Sequence, residues 1–244
     1  MKSNDDIRQA MRERILLLDG ATGTQFQQRG LSGNFDALNR NAPDTVADIH
    51  RAYIAAGRKV WVAGSIGPTS KSLTLATGLA DASARALDFE TLSGIYQEQI
   101  DALIEGGADL LLIETCFDAL NAKAALHALS KTAWGFPAIV SVSPGDAAGR
   151  TLTGQTLEAF WTAVRHYPLT AFGLNCSLGA EQLLPLVGQL AAFCDVPVIC
   201  YPNAGLPNEM GRYDESPEKM AASIRKMARD GLVNLVGGCC GTTP

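Results

Sequence analysis

The chain has 244 residues, of which 47% are hydrophobic and 18% charged, and its formal net charge is −5. This length and apolar content suit one large domain over residues 1–244, or two small ones, with a sizeable core. The negative charge argues against a nucleic-acid or acidic-membrane partner, and the apolar runs are too short to span a bilayer. The N-terminus is polar and acidic without an apolar signal segment, so a cytoplasmic location is expected.

Seven short apolar segments alternate with helical patterns along the chain. Continuous apolar runs of this length are typical of strands that are buried on both faces. Strands are predicted over residues 15–18, 60–63, 110–113, 138–142, 171–174, 196–200 and 232–236. Helices are predicted over residues 7–14, 43–56, 89–105, 118–129, 154–166, 181–193 and 216–229. Residues 25–42, which contain Gly30, Gly33 and Asn34, are predicted to form a long loop.

The alternation of buried strands and helices predicts an α/β fold built from parallel βα units. No phosphate-binding fingerprint supports a doubly wound sheet, because the glycine-rich loop at 19–24 lacks both the P-loop lysine and a G-x-G-x-x-G pattern. Polar residues follow nearly every strand, as they do at the active-site end of a (β/α)₈ barrel. We therefore predict a TIM-type barrel, of which this sequence provides seven strands.

Two adjacent cysteines, Cys239 and Cys240, lie between glycines just after the last predicted strand. Neighbouring residues within a strand point to opposite faces, but glycines beyond the strand end allow both sulfurs to turn to one side. The pair could supply two of the three cysteine ligands of a metal site. It could equally form a strained vicinal disulfide or be two inert buried thiols.

Cys176 is the third thiol that a metal site would need. It follows the fifth predicted strand, so in a barrel it would lie on the same rim as the cysteine pair. Three thiolates form a soft site suited to zinc, and the open fourth position is typical of a catalytic metal. Simple burial accounts for Cys194 and Cys200, whereas the position of Cys116 on the rim leaves its role open.

Two acids, Asp19 and Glu114, also follow strands directly and should lie on the same rim. They could accept the ammonium group of an amino-acid thiol, while the glycine-rich loop after Asp19 could offer backbone N–H groups to its carboxylate. A metal would deprotonate such a thiol and hold it as a nucleophile. Ordinary ion pairs or loop hydrogen bonds are the alternative for both acids. The three histidines fall in predicted helices and are assigned no role.

Five motifs together resemble the homocysteine S-methyltransferase family, and the likeness covers nearly the whole chain. They are LDGATGT at 18–24, IET at 113–115, GLNC at 173–176, YPNAGLP at 201–207 and GGCCG at 237–241. Two further segments, FDALNAK at 117–123 and GRTLTGQ at 149–155, place the likeness closest to the N-terminal homocysteine-binding module of cobalamin-dependent methionine synthase.

The resemblance implies a role for each of these positions. It implies that Cys176, Cys239 and Cys240 are the zinc ligands and catalytic residues, with the homocysteine sulfur as fourth ligand. Asp19 and Glu114 would bind the substrate amino group, amides around Gly20 and Ala21 would bind its carboxylate, and Asn203 would fill the fourth zinc position until substrate displaces it. The methyl donor would be methylcobalamin, carried with folate on separate modules of the full enzyme.

This sequence departs from the family pattern in two places. The resemblance implies a further strand and helix between Gly57 and Val60, where this chain has no room for them, and a helix after the last strand, which it does not contain. A missing strand would leave an open sheet edge or force the first two strands together. Two alternatives follow: a non-catalytic zinc-binding remnant of the module, or a stand-alone methyltransferase that uses another small methyl donor.

Overall fold

A computed structural model describes residues 4–56, 61–77, 81 and 83–243. Parallel strands alternate with helices through most of this chain, as the apolar periodicity predicts. The strands are β1 (Leu16–Leu17), β2 (Ala63–Ile66), β3 (Leu110–Cys116), β4 (Ala138–Val142), β5 (Ala171–Gly179), β6 (Val198–Asn203) and β7 (Leu235–Val236). The helices are α1 (Asn4–Glu13), α2 (Thr22–Gln28), α3 (Leu38–Asn41), α4 (Pro43–Ala56), α5 (Phe89–Glu105), α6 (Ala119–Thr132), α7 (Leu157–Val164), α8 (Ala180–Phe193) and α9 (Pro217–Arg229).

The seven strands form one parallel sheet in the order β1-β7-β6-β5-β4-β3-β2. Consecutive strands from β2 to β7 are neighbours, and β7 returns to pair with β1 through Leu16↔Leu235 and Leu17↔Val236. In the described part of the chain β1 and β2 do not pair with each other and form the two edges. The fold is therefore a (β/α)₈-type barrel that lacks one βα unit between β1 and β2, which confirms the predicted class.

The hydrophobic core has two layers, one on each face of the sheet. Along β3, Leu111 and Ile113 pack against the helices, whereas Leu110 and Leu112 point to the inner, concave face. All four are buried, which explains why the strand has no polar alternation. Helix α1 closes the N-terminal end of the inner layer with three apolar side chains, Ile7, Ala10 and Met11. The C-terminal end of the strands remains available for polar residues.

Three expectations about local structure were wrong. Residues 25–42 are not a long loop, because α2, a 3₁₀ turn at Phe35–Ala37 and α3 occupy most of the segment. These short helices pack Phe26 and Leu38 against Ile49 of α4, so tertiary contacts rather than a strong helical period stabilise them. Strand β2 begins at Ala63 rather than at 60, and α7 is shorter at both ends than predicted.

The predicted site of the missing unit lies at Gly57 to Val60, outside the described residues. Helix α4 runs to Ala56, and the described chain resumes at Trp61 and enters β2. Of the two outcomes expected from a missing strand, the structure has the open edge. Among the helices described, none combines the length and apolarity needed to cross a membrane.

Candidate metal and substrate site

Three thiols converge at the C-terminal end of the sheet. The sulfur atoms of Cys176, Cys239 and Cys240 all lie within 4.8 Å of one another, and the Sγ atoms of Cys176 and Cys240 are 3.8 Å apart. All three side chains are half-buried. The fold thus brings together the three cysteines that the sequence predicts, although 63 residues separate the first two along the chain.

An irregular end of β5 turns Cys176 toward the site. The register with β6 shifts between Asn175 and Gly179, and both Cys176 and Ser177 have left-handed backbone conformations, with φ of 59° and 58°. Residues with a Cβ rarely adopt this conformation, and it is typical of strained functional sites. The shift breaks the alternation of the strand, so that the Cys176 thiol faces the cysteine pair.

Backbone hydrogen bonds to β6 place the cysteine pair. The Cys239 N–H donates to the Pro202 carbonyl at 2.7 Å, and the Cys240 N–H donates to Oδ1 of Asn203 at 3.0 Å. Gly238 is required because a Cβ there would collide with the side chain of Thr242. The glycines therefore permit the turn that the sequence predicted, and β6 fixes where its sulfurs lie.

The three thiols form hydrogen bonds with one another, and these bonds shift their pKa values. The pKa of the Cys240 thiol lies well below its usual range because the Cys176 and Cys239 thiols hydrogen-bond to its sulfur. The same contacts, together with burial, raise the pKa of Cys239. The cluster therefore favours ionisation at Cys240 over Cys239, and a cation between the sulfurs would favour the thiolate form of all three.

The donor set fits zinc. A tetrahedral site with Zn–S bonds of about 2.3 Å has sulfurs about 3.8 Å apart, which matches the separation between Cys176 and Cys240. Soft thiolates select Zn²⁺ over the hard cations Mg²⁺ and Ca²⁺. The three cysteines could therefore hold a zinc ion with little rearrangement, and they are the one such group among the residues that the structure describes.

Two carboxylates lie beside the thiols. Burial raises the pKa of Glu114, the charges of Asp19 and Cys176 raise it further, and a hydrogen bond from Ser65 Oγ to Oε1 at 2.5 Å offsets part of this effect. The pKa of Asp19 is also raised by the surrounding protein atoms, an effect that the charge of His50 reduces. A cation between the two carboxylates would reduce the repulsion between their negative charges and favour their ionised forms.

A family model described as homocysteine S-methyltransferase matches residues 16–60 and 57–244. The chain belongs to the homocysteine S-methyltransferase family. The two matched segments meet at residues 57–60, where the sequence lacks the expected βα unit.

Solved structures of one homocysteine methyltransferase, MmuM from Escherichia coli, share the fold of this family member. The apo form is 23% identical with a TM-score of 0.71, the metallated form 23% identical with a TM-score of 0.73, and the oxidized form 22% identical with a TM-score of 0.75. Each alignment covers 98% of this chain and 96% of MmuM. The similarity extends over the whole barrel despite the open edge.

Three other predicted site residues of this homocysteine S-methyltransferase family member have protein partners. The Ala21 N–H donates to Thr242 Oγ1 at 3.1 Å, and Gly20 lies so close to Thr242 and Tyr53 that a Cβ would be 2.6 Å from Thr242 Oγ1. Asn203 is buried and accepts the Cys240 N–H. The glycine-rich loop and Asn203 therefore both brace the segment that carries the cysteine pair.

The remaining cysteines lie outside the thiol cluster. Cys116 and Cys200 are fully buried, and burial raises the pKa of the Cys200 thiol to about 12. The Cys116 thiol donates to the Ile113 carbonyl at 3.6 Å, and the Cys194 thiol donates to the Val196 carbonyl at 3.5 Å. Cys194 is half-buried, and burial raises the pKa of its thiol to about 11, so none of the three thiols is activated as a nucleophile.

Sequence reasoning missed the residues that position this site. Ser65 holds Glu114, and the amide of Asn175 lies between Thr115, Ser141 and Cys239. A signal was available for Asn175, because it is a polar residue at the end of an apolar strand and directly precedes a ligand candidate. Ser65 carried no such signal, since a serine in a glycine-containing segment is typical of a loop.

Proposed function

We propose that this chain activates the thiol of homocysteine for methyl transfer, in a zinc-dependent reaction that forms methionine. The observation that carries the proposal is the convergence of three thiols on the same rim as two acids of raised pKa. A soft metal site beside an ammonium-binding site matches the two ends of an amino-acid thiol. Membership of the homocysteine S-methyltransferase family supports the same substrate.

In this proposal Cys176, Cys239 and Cys240 hold the zinc ion and leave its fourth position for the homocysteine sulfur. When bound, zinc lowers the pKa of a coordinated thiol, so that the sulfur is a nucleophile at neutral pH. Asn203 would fill the fourth position until the substrate thiol displaces it. Its hydrogen bond to the Cys240 N–H already places the amide beside this ligand.

The amino and carboxylate groups of homocysteine are held beside the thiols by residues of other strand ends. Asp19 and Glu114 accept hydrogen bonds from the ammonium group. Its positive charge offsets the repulsion between the two carboxylates and favours their ionised forms, which burial disfavours. The amides of Gly20 and Ala21 contribute to carboxylate binding. For Ala21 this requires its N–H to turn from Thr242 Oγ1 to the substrate.

We further propose that residues 1–244 are the homocysteine-binding domain of a cobalamin-dependent methionine synthase. Methylcobalamin would then donate the methyl group, and cobalamin- and folate-binding modules would be its partners. The sequence segments 117–123 and 149–155 support this branch, and they meet in the fold. Thr153 Oγ1 donates to the Phe117 carbonyl at 3.0 Å, and Gln155 Oε1 accepts the Ala119 N–H at 3.0 Å.

The open edge between β1 and β2 favours one alternative, a zinc-binding remnant without activity. In the family pattern the missing strand end lies near the substrate carboxylate, so its loss would affect substrate binding more than metal binding. The thiol cluster itself is intact. The active enzyme and the inactive remnant are therefore both expected to bind zinc, and only the active enzyme is expected to form methionine.

Metal analysis tests the site. We predict about one zinc per chain in the purified protein, lost in both Cys239→Ser and Cys240→Ser, because two thiolates bind zinc far more weakly than three. Cys194→Ser is the matched control and should keep its zinc, since that thiol donates to the Val196 carbonyl and lies outside the thiol cluster. A folded wild-type protein without metal, or a Cys239/Cys240 double variant that keeps its zinc, would refute the assignment.

A methyl-transfer assay tests the activity. The zinc-loaded protein is mixed with homocysteine and free methylcobalamin, and methionine is measured by mass spectrometry. Methionine formed by the wild type and not by Cys240→Ser supports the proposal. Zinc retention without methionine supports the remnant. Product formed only with a small sulfonium or ammonium donor would identify a stand-alone methyltransferase instead.

A further inference from the structure

The side chain of Asn175 joins the thiol cluster to the strand that carries Glu114. Asn175 is fully buried and directly precedes Cys176 on β5. Its Oδ1 accepts from the Thr115 N–H at 3.0 Å and from Ser141 Oγ at 2.6 Å. Its Nδ2 donates to Thr115 Oγ1 at 2.9 Å and to Cys239 Sγ at 3.8 Å.

These contacts use the full capacity of the amide, which has two donors and two acceptor lone pairs. The Thr115 N–H can only donate, so the partner facing it must be the amide oxygen. The amide nitrogen consequently faces Thr115 Oγ1 and the Cys239 sulfur. The orientation of the Asn175 amide follows from the network rather than from an arbitrary assignment.

At one end, Asn175 holds a strained backbone. Thr115 has a φ of 58°, an unfavourable conformation for a β-branched residue. The register between β3 and β4 shifts here, between Ile113 and Cys116. Two hydrogen bonds fix this residue, one donated by its N–H to Asn175 Oδ1 and one accepted by its Oγ1 from Asn175 Nδ2, and Glu114 precedes it directly. Asn175 thereby determines the direction of the Glu114 carboxylate.

At the other end, Asn175 donates to a thiolate ligand. An N–H donor near a metal-bound sulfur orients that sulfur and reduces its electron density. Partners of this kind typically contribute 10–100-fold to metal affinity or activity. Nothing in the five family motifs distinguishes this contact, because it depends on the position of Cys239 across the barrel.

We infer that Asn175 is a positioning residue that couples the zinc ligand Cys239 to the ammonium-binding acid Glu114. The inference rests on the proposed function, since it assigns Asn175 to the same site. Replacement of Asn175 should weaken metal binding and homocysteine binding together. A residue with a purely structural role would lower stability without changing the metal's ligand field.

The test compares Asn175→Ala with Ser141→Ala, a matched buried control that removes one contact to the same Oδ1 and leaves both Nδ2 contacts. Zinc affinity is measured by competition with a chromophoric chelator, and the sulfur-to-metal charge-transfer band is recorded after Co²⁺ substitution. We expect Asn175→Ala to lower zinc affinity by about 10–100-fold and to move the band to longer wavelength, because the sulfur loses a donor. Ser141→Ala should change the affinity less than about twofold and leave the band in place, since that contact does not touch the sulfur.

Asn175→Asp serves as a second variant if the alanine variant does not fold. It keeps the size of the side chain and an acceptor for Thr115 and Ser141, but has no N–H for Cys239, so the band should again move to longer wavelength. The double variant Asn175→Ala/Thr115→Gly separates the effect of the lost Cys239 contact from that of the lost Thr115 contacts. Glycine adopts a positive φ without strain, so homocysteine binding, measured by calorimetry, should recover at least partly while zinc affinity should not.

An unchanged band and affinity in every folded Asn175 variant would overturn the inference, as would equal changes in Ser141→Ala. A wild-type chain that binds neither Zn²⁺ nor Co²⁺ would overturn it too. Because these readouts need no turnover, the outcome is separate from the methyl-transfer assay. A chain that binds metal through this network but forms no methionine would refute the proposed activity and leave the role of Asn175 standing.

Discussion

At the scale of single residues, the site combines groups that are each unfavourable when taken alone. Thr115, Cys176 and Ser177 are the described non-glycine residues with positive φ, and all three lie at the ends of β3 and β5. Burial raises the pKa of both Asp19 and Glu114, and the charge of Asp19 raises the pKa of Glu114 further. Such arrangements cost folding stability, and proteins retain them mainly where function requires them.

The charge of Glu114 leads to a prediction about pH. Its folded-state pKa is raised above the ordinary value of 4.5, so its contribution to folding stability is fully present below that value and is lost as pH rises through the folded pKa. Ammonium binding needs the ionised form, so homocysteine affinity should fall as the pH is lowered through the same range. Glu114→Gln should weaken homocysteine binding by about 10–100-fold at neutral pH and make the apo protein more resistant to urea there.

Calorimetry across the acidic to neutral range and urea unfolding at two pH values measure both effects. Glu158→Gln on the exposed face of α7 is the control and should change neither. If Glu114→Gln kept wild-type affinity for homocysteine, the acid would have no part in ammonium binding. If it instead lost stability at neutral pH, the raised pKa would be the wrong description of its environment.

At the scale of elements, the barrel places its polar groups by interrupting regular structure. Strands β3 and β5 both shift register at their C-terminal ends, which turns Glu114 and Cys176 to the rim. The helix that follows β3 is anchored by Asp118, a buried N-cap. Its carboxylate also accepts from Ser72 Oγ at 2.5 Å and from the Thr74 N–H at 3.0 Å. One carboxylate therefore fixes both the start of α6 and the loop after β2.

This double role predicts an unusually large effect of Asp118→Ala. The change removes an N-cap and leaves the partly buried donors of Ser72 and Thr74 without this partner, so we expect a loss of about 3 kcal/mol in the free energy of unfolding. Asp88→Ala is the matched control: the Asp88 carboxylate accepts the Thr91 N–H at 2.7 Å and caps α5, but it is exposed, so the change should cost clearly less than Asp118→Ala. Urea unfolding of both variants gives the difference, and equal losses would mean that the loop contacts add nothing.

At the scale of the whole molecule, the last described segment closes one side of the open barrel. Strand β1 is paired through two residues of β7. Beyond these strands, the Gly241 N–H donates to Thr24 Oγ1 at 3.0 Å and the Ala21 N–H to Thr242 Oγ1 at 3.1 Å. A metal held by Cys176, Cys239 and Cys240 would tie this segment to β5 and, through it, to the loop after β1.

Removal of metal should therefore loosen one edge of the molecule rather than the whole. We predict that chelation raises backbone amide exchange at residues 16–24 and 235–243, while β4 and the buried face of α6 keep their protection. The thermal midpoint should also fall, because a ligand that binds only the native state stabilises it. Hydrogen–deuterium exchange with mass spectrometry compares the zinc-loaded and chelated protein. Cys239→Ser should match the chelated form, and uniform exchange over all strands would contradict the model.

Local patterns in the amino-acid sequence were enough to predict the βα order, the barrel class and the candidate ligands. Buried parallel strands read as continuous apolar runs, and the residue after each such strand lies on one rim, so Cys176 could be assigned to the pair at 239–240 from local patterns alone. The missing unit was also visible in the sequence, as the short segment between α4 and β2. The short helices in residues 25–42 were not, because packing against α4 stabilises them rather than their own periodicity.

The connection between the metal end and the substrate end of the site became visible in the folded structure. The contact between Asn175 and Cys239 spans 64 residues, and the contact between Ala21 and Thr242 spans 221. No local pattern encodes such pairs, since they depend on the register of strands that meet through the sheet. The same holds for the open edge: the sequence allowed either a gap or direct pairing of the first two strands. The gap follows because β1 pairs with β7 and β2 pairs with β3, which leaves the missing strand's place between them.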